Sequence, residues 1–173
     1  MLLQLGMLKQ LPVAALDEEA RVGTVLDVVL HPDTGELIGF WIQPMGWLSR
    51  KKALSSRDVV SYEAQAIIIN SHDSLLSPDE IQPFKSATRR RERWLGKRVE
   101  SEEHEYIGRV SDLVIETDLE MLAKIHVNQL FGPERIIARE QIVKVTPKII
   151  VVRDSTRRAT VAESFLLKEQ ATA

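Results

Sequence analysis

Apolar residues in this chain cluster in short Val- and Ile-rich runs separated by turn residues, which is a strand pattern rather than a helical one. Residues 22–30 and 107–115 are the longest such runs. Each leads through polar residues into a second run. His31-Pro32-Asp33-Thr34-Gly35-Glu36 has the Asp and Gly of a tight turn. It is predicted to join strands over residues 21–31 and 36–43. The second of these alternates, with Ile38, Phe40 and Ile42 on one face and Leu37, Gly39, Trp41 and Gln43 on the other. Its counterpart keeps Ala123, Ile125 and Val127 on the first face and places Lys124, His126 and Asn128 on the second. Side chains alternate with period two in a strand, so the face that stays apolar is the predicted core face. Shorter strands are predicted near 51–54, 58–63 and 66–70, and near 134–138, 141–146 and 149–153.

These runs are two copies of one unit. Aligning residues 22–30 with 107–115 superposes Gly23 on Gly108, Val25 on Val110, Asp27 on Asp112 and Val29 on Val114. Further on, residues 37–42 match 122–127, 56–60 match 139–143, and 67–69 match 150–152. A unit of about 70 residues is near the lower limit for an independent core. Short strands with one apolar face are expected to curl into a small barrel, which removes exposed sheet edges. The expected division is a first unit over 1–76, a linker over 77–93, a second unit over 94–156 and a tail over 157–173. Ser77, Pro78 and Glu80 form a capping-box pattern, so the linker is expected to be partly helical. The tail carries Val161, Phe165 and Leu166, which suits a short helix.

Composition narrows the chemistry. The 173 residues are 44% hydrophobic and 28% charged, as in a folded globular protein. With 23 basic and 25 acidic residues the net charge is −2, unlike a strongly basic nucleic-acid coat. No cysteine is present, which excludes disulfides, thiolate metal sites and cysteine nucleophiles. The apolar start, residues 1–12, is interrupted by Gln4, Lys9 and Gln10. It is too short for a membrane span and poorly shaped for a signal peptide, so a cytoplasmic location is expected.

The unit resembles the PRC-barrel family. The resemblance rests on Val22-Gly23-Thr24-Val25-Leu26-Asp27-Val28 followed by Asp33-Thr34-Gly35, and on Ile107-Gly108-Arg109-Val110-Ser111-Asp112-Leu113 followed by Asp118. In the second copy the turn glycine is replaced by Glu120. The resemblance implies a mainly β chain of two tandem small PRC-like β-barrels joined by a short helical linker, without a catalytic site. Related barrels, in the reaction-centre H subunit and the bacterial ribosome maturation factor, act in protein binding and assembly. This chain lacks the membrane helix of the former and the different N-terminal domain of the latter.

Candidate residues fall into three groups. Gly23, Asp27, Gly108 and Asp112 recur in both units. A strand glycine marks a bend or a close backbone approach, and an aspartate beside it can accept backbone hydrogen bonds. No second carboxylate or histidine recurs with them, so they read as structural. The histidines His31, His72, His104 and His126 lack the spacing of a zinc site. Neither metal nor cofactor is expected, and no enzyme. Arg89, Arg90, Arg91 and Arg93 are open to two readings: an RNA or phosphate contact, or a solvated face balanced by the acidic run that follows. Trp41, Trp47, Leu48, Leu130 and Phe131 are large apolar groups on loops or on the less apolar strand face. They either plug the barrels or pack between units, or they anchor a protein partner or a second copy of the chain. The expected function is a non-catalytic protein-interaction or assembly module. The alternative is a ribosome maturation or RNA-processing factor that binds a ribosomal protein or rRNA.

Overall fold

The computed structural model describes residues 1–46, 49–81, 84, 93–130 and 132–153. The chain is mainly β, with two sheets of matching strand order. The first sheet contains β2 (Pro12–Ala15), β3 (Ala20–Leu30), β4 (Leu37–Pro44), β5 (Lys52–Ser55), β6 (Val59–Tyr62) and β7 (Ile67–Ile69). Its order is β5-β4-β3-β2-β7-β6, so the two end strands are consecutive in the chain and are joined by a 3-10 turn at Ser56–Asp58. The second sheet repeats this with β8 (Arg98–Ser101), β9 (Tyr106–Glu116), β10 (Met121–Asn128), β11 (Arg135–Ala138), β12 (Ile142–Val145) and β13 (Ile149–Val152), in the order β11-β10-β9-β8-β13-β12. A 3-10 turn at Arg139–Gln141 stands between β11 and β12. In both sheets the first strand pairs in parallel with the last, β2 with β7 and β8 with β13. The strand pattern fits two tandem small β-barrels.

One element crosses the division drawn from the sequence. The strand β1 (Leu2–Gln4) pairs with β9, Leu3 opposite Ile115, and so belongs to the second sheet. The four-residue helix α1 (Leu5–Leu8) follows and packs against both β3 and β9. Leu3, Leu5 and Leu8 are buried, so the apolar start of the chain fills the junction between the barrels.

The predicted core face needs one correction. Phe40, Ile42, Ile125 and Val127 are buried as expected, but Ile38 and Ala123 are only partly buried, and Leu37 and Leu122 take their place inside. The cause is a bulge. Leu30 pairs with Leu37 and Val29 with Gly39, which leaves Ile38 unpaired. Ile115 pairs with Leu122 and Val114 with Lys124, which leaves Ala123 unpaired in the same way. One extra residue shifts the alternation, so residues three apart point to the same side.

The hydrophobic core is continuous across the two units. Leu30, Leu37 and Phe40 from the first barrel join Trp94, Ile115, Leu122 and Ile125 from the second in one cluster. In the linker, the Ser77 amide donates to the Glu80 carboxylate at 2.7 Å, as the capping pattern predicts, but residues 78–80 form a turn rather than a helix. Residues 82–83 and 85–92, where the linker helix is expected, and 154–173, where the tail helix is expected, lie outside the described residues.

Candidate functional site

The recurring Gly–Asp motif sits at a second repeated bulge. Leu26 is unpaired between Val25, opposite Ile42, and Asp27, opposite Trp41. Ser111 is unpaired between Val110, opposite Val127, and Asp112, opposite His126. A bulge interrupts the ladder, and at that point each carboxylate supplies an acceptor. Asp27 Oδ1 accepts the Val28 amide at 3.0 Å, and Asp112 Oδ1 accepts the Leu113 amide at 2.8 Å. Asp27 also pairs with Lys9 Nζ at 3.1 Å, which ties the segment after α1 to β3. The glycines are needed for close approach: a Cβ on Gly23 would lie 2.9 Å from the Gln43 carbonyl oxygen, and one on Gly108 would lie 2.6 Å from that of Asn128.

The hairpin tips of the two barrels meet each other. Leu37 N–H donates to the Glu120 carbonyl, and Leu122 N–H donates to the Gly35 carbonyl, both at 2.8 Å. Leu37 aligns with Leu122, and Gly35 with Glu120. The contact is therefore reciprocal, as in an isologous dimer, although it lies within one chain. The 3-10 turns extend it. The Ser56 hydroxyl lies 3.1 Å from the Glu120 carboxylate, and Arg139 Nε donates to the Thr34 carbonyl at 3.1 Å. Gly35 has φ +77 and faces Leu122 and the Trp94 ring, so the turn here needs both its conformation and its lack of a side chain. The Trp94 indole N–H donates to the His31 carbonyl at 3.2 Å. Close by, the Tyr62 hydroxyl is buried and has no hydrogen-bond partner among the described residues. Burial pushes its phenol above the ordinary range, and the negative charge of Glu120 adds to the shift.

Trp41 lies on the outer face of the first barrel. Phe84 meets it edge to face at 5.4 Å, and Lys51 Nζ stands 4.3 Å from the ring centroid. Val29, Ala53 and Phe84 form a small buried cluster here, with Ile38, Trp41 and Ile81 packed on it. The second barrel makes the same face polar: Lys124 replaces Gly39, and His126, 3.2 Å from Glu134 through Nδ1, replaces Trp41. Phe84 is the neighbour of Trp41 that sequence reasoning missed, because it lies in the linker, far from the strand it covers. Leu130 is 87% exposed, and Arg93 is exposed. Trp47, Leu48, Phe131, Arg89, Arg90 and Arg91 lie outside the described residues.

The histidines are not brought together. The His31 imidazole caps its own turn, His72 donates its amide to Glu18, His104 occupies a turn with φ +65, and His126 faces Glu134. Among the described residues no three His, Asp or Glu side chains are grouped so that they could hold a metal ion. No helix among them is long and apolar enough to cross a membrane.

With this geometry in hand, residues 5–76 match the family model of the PRC-barrel domain. The first unit is a PRC-barrel domain. The matched stretch runs from α1 through the whole first sheet to Leu76, and the second unit repeats the strand order and both bulges of that PRC barrel. No curated protein matches the chain.

Proposed function

We propose that the protein is a non-catalytic interaction and assembly module, a cytoplasmic adaptor built from two PRC-type barrels fused into one body. The observation that carries this reading is the use to which the repeated polar residues are put. Asp27 and Asp112 each accept the amide of the next residue, which is an architectural role. The hairpin tips are engaged with each other, so the surfaces left for a partner are the outer faces and sheet edges.

The test is capture from native extract on the immobilised full chain, at low salt and at 0.5 M salt, alongside fluorescence anisotropy with labelled rRNA fragments. The adaptor reading expects a protein retained at both salt concentrations and competed away by free chain. Retention of RNA alone, falling steeply with salt as phosphate contacts are screened, would favour the ribosome-maturation alternative.

A further inference from the structure

The His31 ring caps the hairpin tip of the first barrel. Its Nδ1 accepts the Asp33 amide and the Thr34 amide, both at 3.3 Å. Its backbone carbonyl accepts the Gly35 amide at 3.0 Å and the Trp94 indole N–H at 3.2 Å. The tip so formed presents the Gly35 carbonyl to the Leu122 amide of the second barrel at 2.8 Å, and the Thr34 carbonyl to Arg139 Nε at 3.1 Å. In the second barrel Glu116 aligns with His31, and Asp118 aligns with Asp33. Glu116 Oε1 accepts the Asp118 amide at 3.4 Å and also receives the Met1 ammonium. Each tip therefore has a side-chain acceptor at the same position, a carboxylate in one barrel and an imidazole in the other.

We infer that His31 is an acid-sensitive latch, whose protonation releases the cap on the first hairpin tip and weakens the contact between the barrels in mild acid. An imidazole accepts through Nδ1 only while it is neutral, with its proton on Nε2. Protonation puts a hydrogen on Nδ1, which then faces two donors with a third. Histidine is the side chain whose charge ordinarily changes between about pH 5 and 8. A carboxylate remains an acceptor throughout that interval, so the two tips respond differently to acid. The charged groups around the ring among the described residues do not restore the cap. Asp33 and Glu36 lie on its own turn, and Glu120 lies at the tip facing it. Each attracts an imidazolium, but a ring turned toward a carboxylate no longer accepts the Asp33 and Thr34 amides. The cations are Arg139, held at the Thr34 carbonyl, and Lys97, whose Nζ stands 5.6 Å from the Trp94 ring centroid. Neither offers an acceptor. Once the turn loosens, the Thr34 and Gly35 carbonyls lose their fixed direction, and the bonds from Arg139 and Leu122 weaken with them. The inference is independent of what the protein binds.

The test is native-state hydrogen exchange of the full chain from pH 7.5 to 5.0, read as protection factors so that the intrinsic pH dependence of exchange cancels. In the wild type the Leu122 amide is expected to lose protection about fivefold or more relative to the Val25 and Val110 amides, the scale of one lost hydrogen bond. The midpoint of that loss is expected to coincide with the titration of the His31 ring, followed by NMR in the same samples. His31→Asn keeps a side-chain oxygen for the two amides and does not titrate, so its Leu122 amide should stay protected across the range. His126→Gln removes a histidine that faces Glu134 instead, and should leave the acid loss in place. Leu122 protection that keeps pace with Val25 and Val110 down to pH 5.0 would overturn the inference. So would a His31 ring still neutral at pH 5.0, a loss whose midpoint departs from the His31 titration, a loss that persists in full in His31→Asn, or one abolished by His126→Gln. The exchange and titration of the wild type need no variant, so they decide the matter even where His31→Asn does not fold.

Discussion

Two carboxylates and one phenol show what individual polar residues do here. Asp27 and Asp112 hold the strand where its ladder is interrupted, so Asp27→Ala and Asp112→Ala are each expected to cost about 1–3 kcal/mol in urea unfolding. Asn at the same positions keeps an oxygen able to accept the next amide and is expected to lose less. Equal losses for Ala and Asn at Asp112, where no ion pair with the aspartate is present among the described residues, would show that charge rather than acceptor geometry matters. Tyr62 is the opposite case. Its buried hydroxyl has no partner among the described residues, so Tyr62→Phe is expected to leave stability unchanged or raise it by about 1 kcal/mol. A loss larger than about 1 kcal/mol would contradict this. The direction of the phenol shift adds a pH signature in the wild type. The contribution is complete below the ordinary phenol range and is lost as pH rises through the raised folded value, because only the unfolded chain ionises freely. Tyr62→Phe should remove that alkaline component from the stability profile.

At the scale of elements, the outer face of β4 is built around Gly39. A Cβ there would sit 2.1 Å from the Leu54 carbonyl oxygen and 3.0 Å from the Phe84 ring, at φ +150. Gly39→Ala is expected to cost about 3 kcal/mol, as overpacking does. Gly6→Ala, whose nearest neighbour would be Asp112 Oδ2 at 3.9 Å, is expected to be neutral or slightly stabilising. Thermal melts of the two variants check the contrast, and similar losses in both would refute the packing described at Gly39. Phe84→Ala should lower stability by about 3–5 kcal/mol, since it empties a fully buried site.

Much of this level was legible in the sequence. Strands over 21–31 and 36–43 were predicted where β3 and β4 lie, because Val and Ile runs with an Asp–Gly turn leave few alternatives. The bulges were not legible. Ile38 and Ala123 are apolar and continue the alternation by eye, and only the pairing of Leu30 with Leu37 and Ile115 with Leu122 shows that one residue is extra. Nor was β1 legible as part of the second sheet, since Leu2–Gln4 gains its partner from β9, more than a hundred residues away. Trp41 was visible as unusual. Its neighbours Phe84 and Lys51 were not, because a linker residue and a loop lysine acquire that meaning only once the chain has folded back.

At the scale of the whole molecule, the claim on which the account rests is that two barrels are joined into one body by reciprocal contacts of their hairpin tips. The shared core cluster and the Trp94–His31 hydrogen bond point the same way. Two small barrels that shared no interface would each bury little surface and unfold separately. Fused through a common core, they should unfold in one transition. Native-state hydrogen exchange of the Leu37 and Leu122 amides tests this most directly, because these amides donate across the junction. The account predicts that both exchange as slowly as the Val25 and Val110 amides inside the barrels, and that all four open together. Exchange of Leu37 and Leu122 at the rate of an exposed turn, with Val25 and Val110 still protected, would contradict it.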